Sequence, residues 1–306
     1  GNPVLVRIGL SPMDARVVQQ MQREAGFDRP LAAQFLGYMG HLVRGDLGTS
    51  WQTGRPVIAD LRSHLAATSE LALAALMLML TVSLPLGVYT AMRRNTAADY
   101  LLRVAGLVGV SMPLFWFGLL LLYVFYYHLA WAAPPLARVA TGVITAEGPT
   151  GLYLIDTLLA GNFPGFRSAL QHLALPAITL AFAALPLVFR MTRGSVIEVL
   201  HQDYVRTAHA KGVSLLAILR RHVLRNAMIP VLTVIGLSVG NMLGGTLLVE
   251  TVFSWPGMGR YVINAILARD YTAVQGFVLT AALIFSLVNF LVDVGYGFLD
   301  PRIRFE

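Results

Sequence analysis

Long apolar runs separated by short polar breaks set the pattern of this chain. Residues 71–92 hold no charge between Glu70 and Arg93, and 22 residues at about 1.5 Å each reach the roughly 30 Å of a bilayer core. Similar runs follow at 104–127, 168–189, 227–249 and 271–292, so the pattern predicts five membrane-crossing helices. Pro85, Pro113, Pro176 and Pro186 fall inside these runs and predict kinks or freed carbonyls there. Residues 1–69 read differently. Ser11-Pro12 opens a short helix that stops at Gly26, Asp28 and Pro30 open a second that ends near Gly45, and Pro56 opens a third. Short amphipathic helices of this kind predict an extracytoplasmic helical cap over 1–69, lying against a transmembrane domain over 70–306.

Between the third and fourth runs lies a basic, partly polar island, DYVRTAHAKGVSLLAILRRHVLRNAMIP, from Asp203 to Pro230. Asp203 reads as an N-cap, Gly212 as a helix stop and Ser214 as a second N-cap, giving two short helices joined at Gly212. Pro230 then reads as the opening of the next apolar helix. A short surface helix tied covalently to two spans is placed to receive force from a soluble partner. From spacing alone, a plain loop whose arginines fix orientation fits as well.

Composition sharpens the class. Of the 306 residues 56% are hydrophobic and only 13% charged, against about 25% charged in soluble domains, and the mean hydropathy is +0.66. The chain is an all-α polytopic membrane protein. Its net charge of +7 is almost all arginine, with Lys211 the sole lysine, and no soluble basic face with interleaved aromatics suggests nucleic acid. The loops 93–103, 190–226 and 301–306 carry three, seven and two basic residues, against two each in 128–167 and 251–270. The positive-inside bias therefore predicts a cytoplasmic island and C-terminus, with 1–69 and the loop 128–167 outside. That loop holds Pro134-Pro135 and an apolar run expected to form a short helix from Leu152.

Chemical motifs are few. The chain has no cysteine, and Lys211 is followed by glycine rather than Ser or Thr, so no P-loop is encoded. HExxH and GxSxG are absent, and no histidine pair is spaced for zinc, so neither a metal site nor a hydrolase is expected. Glu250 and Asp293 sit at the edges of their runs, which predicts snorkelling or N-cap-like solvation rather than a proton relay, and His172 reads as interfacial. In the fourth run Gly236, Gly240 and Gly244 form a GxxxGxxxG ladder, which predicts close helix approach, either within this chain or to a second subunit. Ser238 and Asn241 on the same run are either interhelical hydrogen-bonding groups or pathway-lining residues.

DYVRTAHAKG followed by LRNAMIP resembles the cytoplasmic coupling motif of bacterial ABC importer permeases of the dipeptide and oligopeptide group, with His209 where arginine is usual. TGRPV (53–57), RGDLG (44–48), ETVFSWPGMGR (250–260) and FLDPRIR (298–304) resemble the first permease subunit of those systems, so the likeness covers most of the chain. The resemblance implies a type I permease fold, in a multi-pass protein of the bacterial inner membrane. GNPV at the start resembles the segment after the first span of such permeases, which implies a sixth span ahead of this numbering. It implies that Asp203, Tyr204, Val205, Arg206, Thr207, Ala208, Ala210, Lys211 and Gly212 couple to an ATPase, with Ala208 and Ala210 entering a groove. Gly236, Ser238, Gly240, Asn241 and Gly244 would then pack or line the pathway. Implied partners are a second homologous permease, two ABC ATPase subunits, an extracytoplasmic substrate-binding protein and membrane lipid. ATP and Mg would reside on the ATPases, with no cofactor on this chain. Dipeptides or short oligopeptides are the implied cargo. Glutathione and nickel-chelate importers share nearly the same motifs, and a gradient-driven transporter, which should show intramembrane carboxylates or inverted repeats, is the rival class.

Overall fold

The computed structural model describes residues 30–143 and 148–299. Its helices, in chain order, are α1 (Leu31–Val43), α2 (Val57–Met92), α3 (Ala97–Ser111), α4 (Leu114–Leu121, continuing as a π-helical stretch Leu122–His128), α5 (Tyr153–Leu159), α6 (Phe163–Leu200) and α7 (Asp203–Ala210). Next comes α8, over residues 215–252, in which Leu215–Ile218, the π turn Leu219–Val223 and Leu224–Val252 follow without a break. Finally come α9 (Met258–Leu267) and α10 (Tyr271–Leu299). The expected helix at 11–26, the start of the cap and the ending 301–306 lie outside the described residues.

Among the described residues four helices are long and apolar enough to cross a membrane, or five if a bent pair counts as one span. That pair is α3 and α4, bent by 108° at Met112 and Pro113, where the sequence predicts one continuous span over 104–127. Pro113 disfavours helical backbone in the residue before it, and Met112 is extended at φ −86°, ψ 130°, so the chain turns there rather than kinking. Pro85, Pro176 and Pro186 sit inside unbroken helices.

No helix break marks residue 70, where the cap region is expected to meet the membrane domain. Pro56 does open a helix, but α2 runs from Val57 straight through Glu70 to Met92, so the end of the cap region and the first span are one rod. In the same way α8 carries Pro230 in its interior rather than at its start, and the second half of the island is the first part of a membrane helix.

Helix α6 is the axis of the bundle. Some 67% of its most apolar window is buried, against 6% for α10. It lies parallel to α2, and at Gly87 the two backbones nearly touch: a Cβ there would fall 2.7 Å from the Thr192 side chain. Leu71, Ala75 and Met79 of α2, Leu173, Leu180, Ala181 and Val188 of α6, and Val231 and Met242 of α8 form the main apolar cluster. Lipid tails are as apolar as these side chains, so dense packing rather than escape from water holds them together. Phe117 of α4 stacks on Phe182 of α6 with ring centres 3.8 Å apart, fixing the bent pair against the axis.

Candidate coupling site and pathway lining

Helix α7 sits where α2 and α6 end and α8 begins. Asp203 is not its N-cap: Gln202 takes that place with extended backbone, and Asp203 is the first helical residue, where its charge favours the positive end of the helix dipole. Gly212 stops the helix as its spacing predicts, at φ +77°, a conformation side-chain-bearing residues rarely adopt. The Val213 N–H then reaches back to the Ala208 carbonyl at 3.2 Å, and Gly212 N–H to His209 at 3.0 Å, which closes the turn. Ser214 is the N-cap of the following helix by backbone, without a side-chain capping bond.

The orientation of α7 divides the candidate residues. Val205 is 4% exposed and, with Ala208, packs into a small apolar cluster of Ala91 from α2, Val196 from α6, and Ile218, Val223 and Ala227 from α8. These two residues seat the helix, whereas the resemblance has Ala208 entering a partner's groove. Asp203, Tyr204, Arg206, Thr207, Ala210, Lys211 and Gly212, together with His209, are exposed. Arg206 faces Asp203 at 3.7 Å one turn away, and the Thr207 hydroxyl donates to the Asp203 carbonyl at 2.9 Å. Ala210 is the small residue of the outward face. The result is a short polar helix with a small-residue tip, fastened from below by two apolar side chains.

The glycine ladder does not behave as one packing face. Gly240 meets Phe285 of α10, where an added Cβ would come within 3.2 Å of the ring, but Gly244 has nothing within 4 Å. Close approach at this level belongs instead to Gly245, against Leu180 of α6 and Leu114 of α4. Gly245 directly follows Gly244 and so falls outside the four-residue spacing of the ladder. Gly240 and Gly244 line a cavity of about 500 Å³ with Thr68, Leu247, Met258 and Phe285, between α2, α8, α9 and α10. Ser238 is buried on the other side and donates to the Val234 carbonyl of its own helix at 2.7 Å; Gly236 is buried and Asn241 exposed. The structure thus brings Gly240 and Gly244 together on the cavity wall and leaves Ser238 off it.

At the far end of the bundle a second polar assembly stands out. Glu250 is fully buried, and its carboxylate accepts from the Thr68 hydroxyl at 2.6 Å and from the Gly259 and Arg260 N–H groups at 2.7 and 3.1 Å. It therefore caps the start of α9 from the end of α8, a buried version of the N-cap-like solvation expected of it. Trp255 donates its indole N–H to the Ala67 carbonyl at 2.8 Å, and Gly257 comes so close to Glu250 that a Cβ there would sit 2.2 Å from the carboxylate. ETVFSWPGMGR is thus a buried hairpin between α8 and α9. Its signal was a carboxylate seven residues before a glycine pair spaced as GMG. His172 is buried and hydrogen bonded through Nδ1 to the Ser168 carbonyl at 2.8 Å, so it is a core histidine rather than an interfacial one. Among the described residues no group of histidines and carboxylates could hold a metal ion.

A helical bundle of several spans with an exposed, seated helix between two of them defines a multi-pass membrane permease. Residues 83–305 match the family model described as the binding-protein-dependent transport system inner membrane component, and the chain belongs to that family. It is similar to the probable D,D-dipeptide transport system permease protein DdpB of Escherichia coli K12, 44% identical over 99% of this chain and 88% of that protein. It is likewise 44% identical to the di/tripeptide transport system permease protein DppB of Pseudomonas aeruginosa UCBPP-PA14, over 100% of this chain and 90% of that one. Identity to the dipeptide transport system permease protein DppB of Escherichia coli K12 is 42%, over 99% and 90%.

Proposed function

We propose that this chain is one permease subunit of an ATP-driven importer for dipeptides and short oligopeptides, moved by separate ATPase subunits that grip α7. The observation that carries the reading is the division of α7 into a seated face, Val205 and Ala208, and a free face ending in Ala210 and Lys211. The chain encodes no P-loop, so the force comes from a partner that binds ATP and Mg. Arg206 and Lys211 suit acidic groups beside a groove that admits Ala210. In this reading α7 and the C-terminus face the cytoplasm, in keeping with the arginine excess of 190–226. A second homologous permease completes the pathway across the cavity-lining face of α8, and an extracytoplasmic binding protein delivers cargo at the far end. When the ATPases close, α7 is dragged and the spans attached to it tilt from inward-facing to outward-facing. The peptide names carried by all three relatives favour peptides over glutathione or nickel chelates.

Ala210→Glu and Gly212→Pro test this. Each should leave the subunit in the membrane and lower dipeptide uptake by more than about tenfold, since 1.4 kcal/mol lost at the contact suffices. Wild-type uptake with ATPases still bound in both variants would overturn the coupling role.

A further inference from the structure

Helix α7 is joined to α8 in two ways. The first runs along the chain, through Gly212 and Ser214, into Leu215–Ile218 and the π turn Leu219–Val223. In that turn the Leu224 N–H bonds five residues back, to the Leu219 carbonyl, and single π turns of this kind inside α-helices are rare and frequent at functional sites. The second link crosses the turn. The Asn226 amide nitrogen lies 2.9 Å from the Tyr204 hydroxyl and 3.0 Å from the His222 carbonyl, and the Tyr204 ring tilts against the His222 ring at 6.3 Å. A carbonyl only accepts, so the contact with His222 fixes which end of the Asn226 amide points inward and makes it the donor to Tyr204.

We infer that Tyr204 and Asn226 form a strut that carries displacement of α7 past the π turn into the body of α8, the helix whose later residues line the cavity and include Glu250. Tyr204 and Asn226 are thus positioning residues for the transport cycle. The apolar seat cannot replace the strut, because its α8 members, Ile218, Val223 and Ala227, straddle the turn and contact α7 without direction. When the strut is cut, movement of α7 is absorbed in the π turn, and ATP is spent with less transport. This inference rests on the coupling role proposed for α7.

The experiment uses the assembled importer in nanodiscs with its peptide-loaded binding protein, reading peptide transported per ATP hydrolysed. Asn226→Ala leaves Tyr204 in place and removes its donor. The ratio should fall about fivefold, the factor one neutral hydrogen bond carries. Tyr204→Phe should lower the ratio similarly, and the double variant should do no worse than either single one. The chain has no cysteine, so Tyr204→Cys with Asn226→Cys supplies its only thiol pair. A short thiol-to-thiol cross-linker should raise the ratio, and cleaving the cross-link should lower it again. An unchanged ratio in Asn226→Ala, or no recovery on cross-linking, overturns the strut. So does loss of the ATPases from the purified Asn226→Ala complex, because the pair would then serve assembly rather than transmission. Failure of the coupling role itself shows separately, as normal uptake in Ala210→Glu.

Discussion

The two ends of the bundle are built on opposite plans. At the end away from α7, Asp60, Glu70, Asp156, Glu250 and Asp270 are each at most 5% exposed, and each is held by directional bonds. Glu70 receives the Arg138 guanidinium at 2.5 Å and the Leu154 N–H at 2.7 Å, tying Arg138 and the start of α5 to α2. Asp270 accepts from the Ser50 hydroxyl at 2.6 Å and from the Gln52 N–H at 3.1 Å, tying the turn before α2 to the start of α10. At the other end the buried acid Asp99 joins α3 to α6 by a two-pronged pair with Arg193 at 2.7 and 2.8 Å. Helix α7 itself has a single buried residue, Val205. Buried polar bonds hold one geometry at a high cost of breaking, whereas a small apolar seat lets a helix shift while staying attached. One end is made to keep its shape and the other to be moved.

Cutting a lock at the rigid end should have the largest effect on stability. Arg138 lies 3.7 Å from the Tyr153 ring centre as well as on Glu70, so Arg138→Ala strips a buried carboxylate of its partner and the loop of its stack. The expected loss is about 3–5 kcal/mol, read as a lower melting temperature of the purified subunit in nanodiscs. Glu70→Gln combined with Arg138→Met should be less damaging than Arg138→Ala alone, because it leaves no unpaired charge. If Arg138→Ala melted with the wild type, the contrast between the ends would collapse.

Val205→Ala sharpens the comparison from the other side. It removes two methyl groups from the one buried position of α7, worth about 1–2 kcal/mol. A loosely joined element should absorb that loss locally. Amide hydrogen exchange should therefore speed up across 203–212 while the melting temperature stays near the wild type. A drop in melting temperature as large as that of Arg138→Ala would mean that α7 is part of the rigid scaffold.

What the sequence revealed follows the same division. Spans, the Gly212 stop and the outward arginines were legible because length, periodicity and φ preference are local properties. The seat was not: which of Val205, Ala208 and Ala210 turns inward depends on Ile218 and Ala91, residues on other helices. The break at Pro113 was misread because proline either kinks a membrane helix or ends it, and the neighbouring packing decides which. The 236/240/244 ladder marked the right helix but not the packing residue, since Gly245 beside it faces α6. Glu250 looked interfacial because an edge carboxylate is usually solvated, and only the approach of Gly257 and Gly259 turns it into a buried cap.

The smallest effect on stability is also the one that separates structure from function most cleanly. Arg206 is exposed, and its only ionic partner among the described residues is Asp203 at 3.7 Å, itself 96% exposed at the side chain, so water and salt screen the pair. Arg206→Glu should leave melting and hydrogen exchange where they were, even across 203–212. If this face grips the acidic rim of an ATPase, the same change sets like charges against each other and should weaken ATPase co-purification, more at low ionic strength than at high. The salt dependence is the decisive reading, because a loss through misfolding would not recover as salt is added, whereas repulsion across an interface would. Unaltered ATPase binding at every ionic strength would place the gripping contact elsewhere on α7, on Ala210 and Lys211.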